Sequence, residues 1–271
     1  MKLLPMIATT TLTLLLGMAL AACAQQPDDR TASPDPSANA PSAGSPAPSP
    51  AATSAAASPS PDSSTRSPDP SPGSPPDAAV VFDGDSLTAG FMLPEAESYP
   101  AQLMATLPPS VTWVNVAVSG QTWSQLLADA GTDVDGRYDD RRAANVVVVW
   151  AAANDLATGF PAQEILDHAR RYCEERRQRG FRVIVLTMYP LQPKDVDAEY
   201  DQLRREYNEL LRAGWPGFAD GLVDVAADER LGDDSGPQRS AYFLDLVHLT
   251  TAGYGVIADR VRPVLLDVIE R

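Results

Sequence analysis

The chain has 271 residues, 44% of them hydrophobic, which is enough for one domain with a full core. Its formal net charge of −15, from 36 acidic and 21 basic residues, disfavours nucleic acid and anionic lipid surfaces as partners. It has only two cysteines, Cys23 and Cys173, which excludes a disulfide framework and a cysteine-rich metal site.

The first 23 residues have the features of an export signal. Lys2 precedes an apolar stretch that is too short for a permanent membrane helix, which needs ~20 apolar residues. The stretch ends in Leu20-Ala21-Ala22-Cys23, which resembles the lipobox of bacterial lipoproteins and implies cleavage before Cys23 and a lipid on its sulfur. The alternative is an ordinary signal peptide with a cysteine of no consequence. We expect an exported protein, held by an N-terminal lipid on the outer face of the cell membrane or on another extracytoplasmic membrane.

Residues 24–77 differ in composition from everything that follows. They contain more than half of the 25 prolines, with alanine and serine as the main companions and no aromatic residue. Such a segment cannot bury enough apolar surface to offset the entropy of ordering it. We predict a disordered tether that proline stiffens toward an extended form. A ligand for proline-recognition domains is the less favoured alternative, because the repeats are irregular.

Residues 78–271 alternate short apolar runs with helical patterns. Runs this continuously apolar, separated by helices, are typical of a parallel sheet that is covered on both faces. We therefore predict an α/β fold, a three-layer α/β/α sandwich with a mostly five-stranded parallel sheet wound as in flavodoxin. The predicted strands are 78–82, 111–118, 145–152, 181–189 and 221–226.

The intervening helices have start and stop signals. Pro100 opens one helical pattern, and Pro161 opens a longer one that Gly180 ends. The last helix begins near Thr251 and contains Pro263, where we expect a kink or a break.

Four polar segments lie where predicted strands end or where the last helix begins. Residues 84–86 follow the first strand, 119–120 the second and 154–155 the third, and 245–248 precede the final helix. Functional sites of open parallel sheets form at the carboxyl ends of the strands. The four segments are therefore predicted to meet at one rim.

Ser86 becomes a useful nucleophile only if a base takes its proton and donors hold the oxyanion that its attack creates. Of the two histidines, His168 lies inside the long predicted helix, where an exposed or half-packed position is favoured. His248 has Asp245 three positions earlier, which is close enough for the carboxylate to accept the Nδ1 proton and fix the tautomer. The alternative for Ser86 is that its hydroxyl caps a helix.

The same segments carry a family pattern. GDSLTAG at 84–90, NVAVSG at 115–120, AAND at 152–155 and DLVHLTTAGY at 245–254 match, in order, the four blocks of the GDSL or SGNH hydrolases. Each block alone is weak evidence, but four in order are strong, and the domain resembles this family over residues 79–262. One residue departs from the pattern, because Ala152 stands where the third block usually has glycine.

The resemblance implies a role for each matching residue. Ser86 would be the nucleophile, His248 the general base and then acid, and Asp245 the carboxylate that orients the imidazole. The oxyanion hole would combine the backbone N–H groups of Ser86 and Gly120 with the side-chain amide of Asn154. Turn and capping roles are the alternatives for Gly120 and Asn154.

Other residues carry weaker signals. The acidic loop 133–140 lacks the alternating ligands of a calcium loop, so a solvated loop is predicted. Residues 91–94, FMLP, line an acyl pocket or pack in the core, and both interpretations stay open. Cys173 is predicted to be a half-buried small hydrophobe. Asp85 and Asp155 are expected to stabilise turns.

These features predict a lipid-anchored serine esterase that forms an acyl-enzyme and uses no metal or cofactor. The absence of a long insertion argues for an open site without a lid, which favours short acyl groups on a carbohydrate, cell-wall or small-molecule alcohol. A lysophospholipid or thioester substrate stays open. Two other classes compete. A non-catalytic binding lipoprotein would lack a triad member, and a flavodoxin-like cofactor module would need a phosphate-cradling turn where this chain has acid. The oligomeric state stays open, with a monomer as the default.

Overall fold

The computed structural model describes residues 76–192, 196–232 and 241–271. The predicted export signal with Cys23 lies outside the described residues. So does the predicted tether, apart from its last two positions.

Five parallel strands form one sheet in the order β2-β1-β3-β4-β5, which confirms the predicted α/β fold. The central strand β3 is buried at every position, and its valine-rich sequence suits a strand that is covered on both faces. The edge strand β2 instead exposes Thr112 and Trp113. The strands are β1 (Ala78–Gly84), β2 (Val111–Asn115), β3 (Ala144–Trp150), β4 (Arg182–Leu186) and β5 (Gly221–Val223).

Two groups of helices cover the sheet. The first group consists of α2 and α7, which pack on each other. In the second group, α5 packs between α3 and α6. Within the described ranges, none of these helices combines the length and the apolar character needed to cross a membrane. The helices are α1 (Ser86–Ala89), α2 (Tyr99–Met104), α3 (Trp123–Asp133), α4 (Ala153–Ala157), α5 (Ala162–Gln178), α6 (Ala198–Gly214) and α7 (Thr251–Glu270).

Pro263 does not break the last helix, so of the kink or break expected there, the break is contradicted. Helix α7 runs through it from Thr251 to Glu270. Pro263 is exposed, whereas Val261, Leu265 and Val268 on the same helix are buried. The packing of this apolar face holds the helix together across the missing backbone donor.

Helix α6 is a feature that the sequence patterns did not single out. Its start is capped by Asp197, whose carboxylate accepts a hydrogen bond from the Tyr200 N–H at 3.0 Å. Tyr200, Tyr207 and Leu211 recur at helical spacing and are buried. The sequence therefore does contain a signal for this helix, namely a capping residue followed by apolar residues at helical spacing.

Candidate active site

Ser86 lies on a tight turn directly after β1. The turn depends on Gly84, whose φ is +147°, because a Cβ at that position would lie 2.1 Å from the Trp150 carbonyl oxygen. The Asp85 N–H donates to the same Trp150 oxygen at 3.4 Å, which ties the turn to the end of β3. Ser86 has no solvent-accessible surface in this conformation.

The structure assigns the helix cap to Asp85 rather than to Ser86. The Asp85 carboxylate accepts a hydrogen bond from the Leu87 N–H at 2.9 Å at the start of α1. The expectation that Asp85 stabilises the turn is therefore confirmed. The capping alternative for Ser86 is wrong, and its hydroxyl points elsewhere.

That hydroxyl faces His248. The Ser86 Oγ and His248 Nε2 atoms are 3.0 Å apart, and the other ring nitrogen, Nδ1, lies 2.8 Å from the Asp245 Oδ2. With its proton on Nδ1 donated to Asp245, the buried imidazole presents a lone pair to the serine hydroxyl. The arrangement is that of a hydroxyl, a base and a carboxylate in sequence.

Backbone amides fix the Asp245 carboxylate as well. The N–H groups of Val247 and His248 donate to its Oδ1 at 2.8 and 2.7 Å. Burial raises the pKa of Asp245, but the hydrogen bonds from His248 and Val247 outweigh it and hold the pKa below its ordinary value. Asp245 is therefore ionised at neutral pH.

Three hydrogen bonds hold the loop that carries His248. The Tyr189 hydroxyl donates to the Val247 carbonyl at 2.6 Å, and the Gln192 N–H donates to the Leu246 carbonyl at 2.9 Å. Within the loop, the Leu244 N–H donates to the His248 carbonyl at 2.8 Å. The sequence did not single out Tyr189, because its position three residues after β4 gives no sign of its distant partner.

Phe91 lies beside His248. Its ring packs on the His248 imidazole, and its backbone N–H donates to the Ser86 carbonyl at 3.1 Å. The next residue, Met92, is exposed and has a φ of +66°, a backbone conformation that residues other than glycine rarely adopt. Within residues 91–94, Phe91 therefore packs at the site, whereas Met92 lies at the surface.

The residues predicted for an oxyanion hole lie on adjoining segments. The Val118 N–H donates to the Gly84 carbonyl at 3.1 Å, which places the Gly120 segment beside the Ser86 turn. Gly120 has a φ of +87°, and Asn154 is buried with its amide Nδ2 donating to the Gln121 carbonyl at 2.8 Å. Among the hydrogen bonds of the described residues, none is donated by the backbone N–H of Ser86 or of Gly120.

Ala152 adopts a conformation that favours glycine. Its φ is +121°, and the residue is fully buried two positions before Asn154. This is the position where the sequence departs from the usual glycine of the third block. The alanine is therefore accommodated with backbone strain. Strain of this kind at functional sites commonly costs about 1–3 kcal/mol per residue.

Three buried carboxyl groups lie around the turn that carries Ser86. Burial raises the pKa of Asp83 and of Asp85 to about 7 and that of Asp155 to about 6. Asp83 accepts a hydrogen bond from the Tyr172 hydroxyl at 2.5 Å, and Asp155 accepts one from the Trp123 N–H at 3.1 Å. Their burial explains why these acids are less acidic than surface aspartates.

The remaining candidates lie away from this site. His168 is half-buried on α5, and Cys173 on the same helix is fully buried, with a pKa that burial raises above its ordinary value. In the loop 133–140, Asp135 pairs with Arg176, and Asp139 pairs with Arg141. No cluster of three potential metal-ligating side chains occurs in the part of the chain that the structure describes.

Comparison with known proteins points in one direction. Residues 82–256, more than half of the chain, match the model of the GDSL-like lipase/acylhydrolase family. An arylesterase from Vibrio mimicus is 29% identical over 106 residues. This match covers 38% of the chain and 50% of the arylesterase, so the chain spans about half the length of that curated relative.

Solved structures share the fold at low identity. A member of the lipolytic protein G-D-S-L family from Veillonella parvula superposes with a TM-score of 0.58 and 18% identity, covering 70% of this chain and 98% of that one. Axe2, an acetylxylan esterase from Geobacillus stearothermophilus, gives a TM-score of 0.53 and 18% identity, covering 73% and 97%.

Proposed function

Because the chain belongs to the GDSL-like lipase/acylhydrolase family, we propose that it hydrolyses carboxylic esters with Ser86 as the nucleophile. The observation that carries this proposal is the continuous contact from the Ser86 hydroxyl through the His248 imidazole to the Asp245 carboxylate. Ser86 and His248 are both buried, so the proton transfer between them is shielded from bulk water.

Acylation follows from this geometry. The His248 Nε2 takes the hydroxyl proton as the Ser86 Oγ attacks the ester carbonyl, and the ionised Asp245 stabilises the imidazolium that forms. The tetrahedral intermediate then collapses with cleavage of the bond to the alcohol oxygen, and Nε2 returns its proton to the leaving alcohol. An acyl group remains on Ser86.

Deacylation repeats the sequence with water. The neutral His248 takes a proton from a water molecule that attacks the acyl-enzyme carbonyl, and then protonates the Ser86 oxygen as the bond to the acyl group breaks. The carboxylic acid leaves, and the starting state is restored. Every proton is carried by the imidazole, so the cycle needs no metal or redox cofactor.

The oxyanion of both intermediates requires donors. We assign this role to the backbone N–H groups of Ser86 and Gly120 and to the Asn154 side-chain amide. The first two donate no hydrogen bond among the described residues, and the Asn154 amide has a second N–H besides the one that reaches Gln121. A neutral amide also releases the carboxylate product, because it forms no ion pair with it.

For the substrate, we propose an ester with a short acyl group on a small-molecule or carbohydrate alcohol. The support is the Phe91 ring, which packs on the His248 imidazole and narrows the space on that side of the proposed base. The acetylxylan esterase that shares the fold makes acetylated carbohydrates a class to test. A lysophospholipid or thioester hydrolase is the alternative.

Hydrolysis of p-nitrophenyl esters of increasing acyl length by the full-length protein tests the proposal. Turnover that is highest for the acetate and absent in Ser86→Ala would support a short-acyl esterase. Turnover that rises with acyl length would assign a lipid hydrolase instead. Absence of turnover, together with absence of fluorophosphonate labelling at Ser86, would indicate a binding protein on the same fold.

We further propose that the protein is exported and anchored by a lipid on Cys23. The support is the lipobox resemblance of residues 20–23, followed by a proline-rich segment long enough to separate the domain from a membrane. Wild-type protein should partition into detergent on expression in bacteria, and Cys23→Ser should not. Equal partitioning of the two would contradict the anchor.

A further inference from the structure

Two neighbouring side chains of α4 hold the segment that follows Gly120. The Asn154 Nδ2 donates to the Gln121 carbonyl at 2.8 Å, and the Asp155 Oδ2 accepts from the Trp123 N–H at 3.1 Å. We call these two hydrogen bonds the 154–155 clamp. They join the third block to the second, the two segments proposed to supply oxyanion donors.

The clamp lies in the core. Asp155 and Trp123 are almost fully buried, and the Trp123 ring packs edge-on against Tyr172 with ring centroids 5.7 Å apart. The donor and the acceptor are therefore both fixed by their surroundings. Removing the carboxylate would leave the Trp123 N–H buried without this partner, which favours a shift of the segment.

We infer that Asp155 is a positioning residue of the oxyanion hole, which acts through the Trp123 N–H on the placement of Gly120 relative to Asn154. The inference rests on the proposed function, because an oxyanion is what requires these two donors to converge. An oxyanion donor is effective only at about 2.7–3.1 Å from the developing charge. A misplacement of about 1 Å can cost ~10²-fold in rate.

The role requires an acceptor atom rather than a negative charge. Trp123 is the first residue of α3, so its N–H belongs to the donors that a helix leaves unsatisfied at its start. A side-chain amide oxygen can accept from that N–H as a carboxylate does. Asp155→Asn is therefore the matched control for Asp155→Ala, which removes the acceptor.

The test measures kcat and KM on p-nitrophenyl acetate per active site, with the number of active sites titrated by a fluorophosphonate. Asp155→Ala should lower kcat by about 10-fold or more while KM changes little, because ground-state binding does not use the oxyanion hole. Asp155→Asn should stay within about 3-fold of wild type. If Asp155→Ala gives no titratable serine, Asp155→Leu fills the buried volume without an acceptor and should show the same loss of kcat.

A double variant separates positioning from general structural support. In the Asn154→Ala background, Asp155→Ala should cost much less than it does alone, because one of the two donors being positioned is already absent. Independent losses that multiply would overturn the inference. So would wild-type kcat per titrated site in Asp155→Ala, or equal damage by Asp155→Asn. Failure of the wild-type enzyme itself to hydrolyse esters or react with the fluorophosphonate would instead contradict the proposed function.

Discussion

The ring of Phe91 packs on the imidazole of His248, with centroids 4.6 Å apart and the planes inclined by 41°. The backbone N–H groups of Gly90 and Phe91 both donate to the Ser86 carbonyl at 3.1 Å. The turn that carries Ser86 therefore also places the ring that packs on His248.

Phe91→Ala should change both rate and selectivity. Without the ring, the His248 imidazole is less confined, so acetate turnover should fall by about 3- to 10-fold, less than the ~10²-fold that a displacement of about 1 Å can cost. Hexanoate should become a better substrate relative to acetate. The measurement is kcat/KM on both p-nitrophenyl esters.

Phe91→Tyr is the matched control, because it keeps the aromatic ring and should retain the acetate preference. An unchanged acetate-to-hexanoate ratio in Phe91→Ala would show that the ring does not limit the acyl group.

Ser86→Ala and His248→Ala should each lower kcat by roughly three orders of magnitude or more, and the double variant should lose little further. The two residues act as a unit, so removal of either one disables the proton transfer. Steady-state kinetics on p-nitrophenyl acetate measures the three variants together. Substantial activity in His248→Ala would mean that another group takes the serine proton.

Asn154→Ala should lower kcat by roughly 10²-fold through loss of one oxyanion donor. Fluorophosphonate titration shows whether the remaining sites are intact. An unchanged kcat per titrated site would remove the Asn154 amide from the oxyanion hole.

Ala152→Gly should leave the domain more stable than glycine substitution of the neighbouring buried Ala151 does. Relief of strain at a φ of +121° favours glycine at position 152 by about 1–3 kcal/mol, whereas the added freedom of the unfolded chain (~0.5–1 kcal/mol) and the loss of a buried methyl group (~0.8 kcal/mol) oppose glycine at both positions. Urea unfolding should therefore give Ala152→Gly a free energy of unfolding about 1–3 kcal/mol higher than that of Ala151→Gly. Equal losses at both positions would argue that Ala152 is unstrained.

The buried acids should make stability depend on pH. Burial raises the pKa of Asp83 and Asp85 from 3.8 to about 7, so the folded chain retains protons that the unfolded chain releases between these values. Their contribution to the free energy of unfolding is complete below pH 3.8 and is lost as pH rises to about 7. The lowered pKa of Asp245 acts in the opposite direction, but only below 3.8.

Asp85→Asn should therefore reduce the fall in unfolding free energy between pH 4.5 and 7.5. Asp140→Asn, at an exposed position, controls for the loss of one negative charge. The measurement is urea unfolding of both variants and wild type at the two pH values. If the free energy of unfolding changes with pH equally in Asp85→Asn and in wild type, Asp85 does not titrate in this window.

The strands could be predicted because each is a short apolar run with polar residues at its carboxyl end. The predicted end of β2 was three residues too late, because residues 116–118 continue to hydrogen-bond along β1 after regular pairing has ended. The unbroken α7 could not be predicted, because proline disfavours a helix locally and only tertiary packing decides otherwise.

At the site, the convergence of Ser86, Asp245 and His248 follows from sheet topology together with the motif pattern. Other contacts have no counterpart in the sequence. The placement of Phe91 on the imidazole depends on the exact course of the turn after Gly90. The hydrogen bond that the Trp123 N–H donates to Asp155 joins segments 32 positions apart. Such contacts depend on three-dimensional packing rather than on residue type.

The hydroxyl and the imidazole that meet at 3.0 Å are 162 positions apart in the chain. Ser86 directly follows the turn after the first strand, and His248 lies three residues before the last helix, which packs on β3, β4 and β5. During synthesis, a chain that has emerged as far as β5 contains Ser86 but not His248, the base proposed for it. The proposed activity therefore requires the last helix and the loop before it, and its recovery on refolding would report completion of the whole domain rather than formation of its sheet.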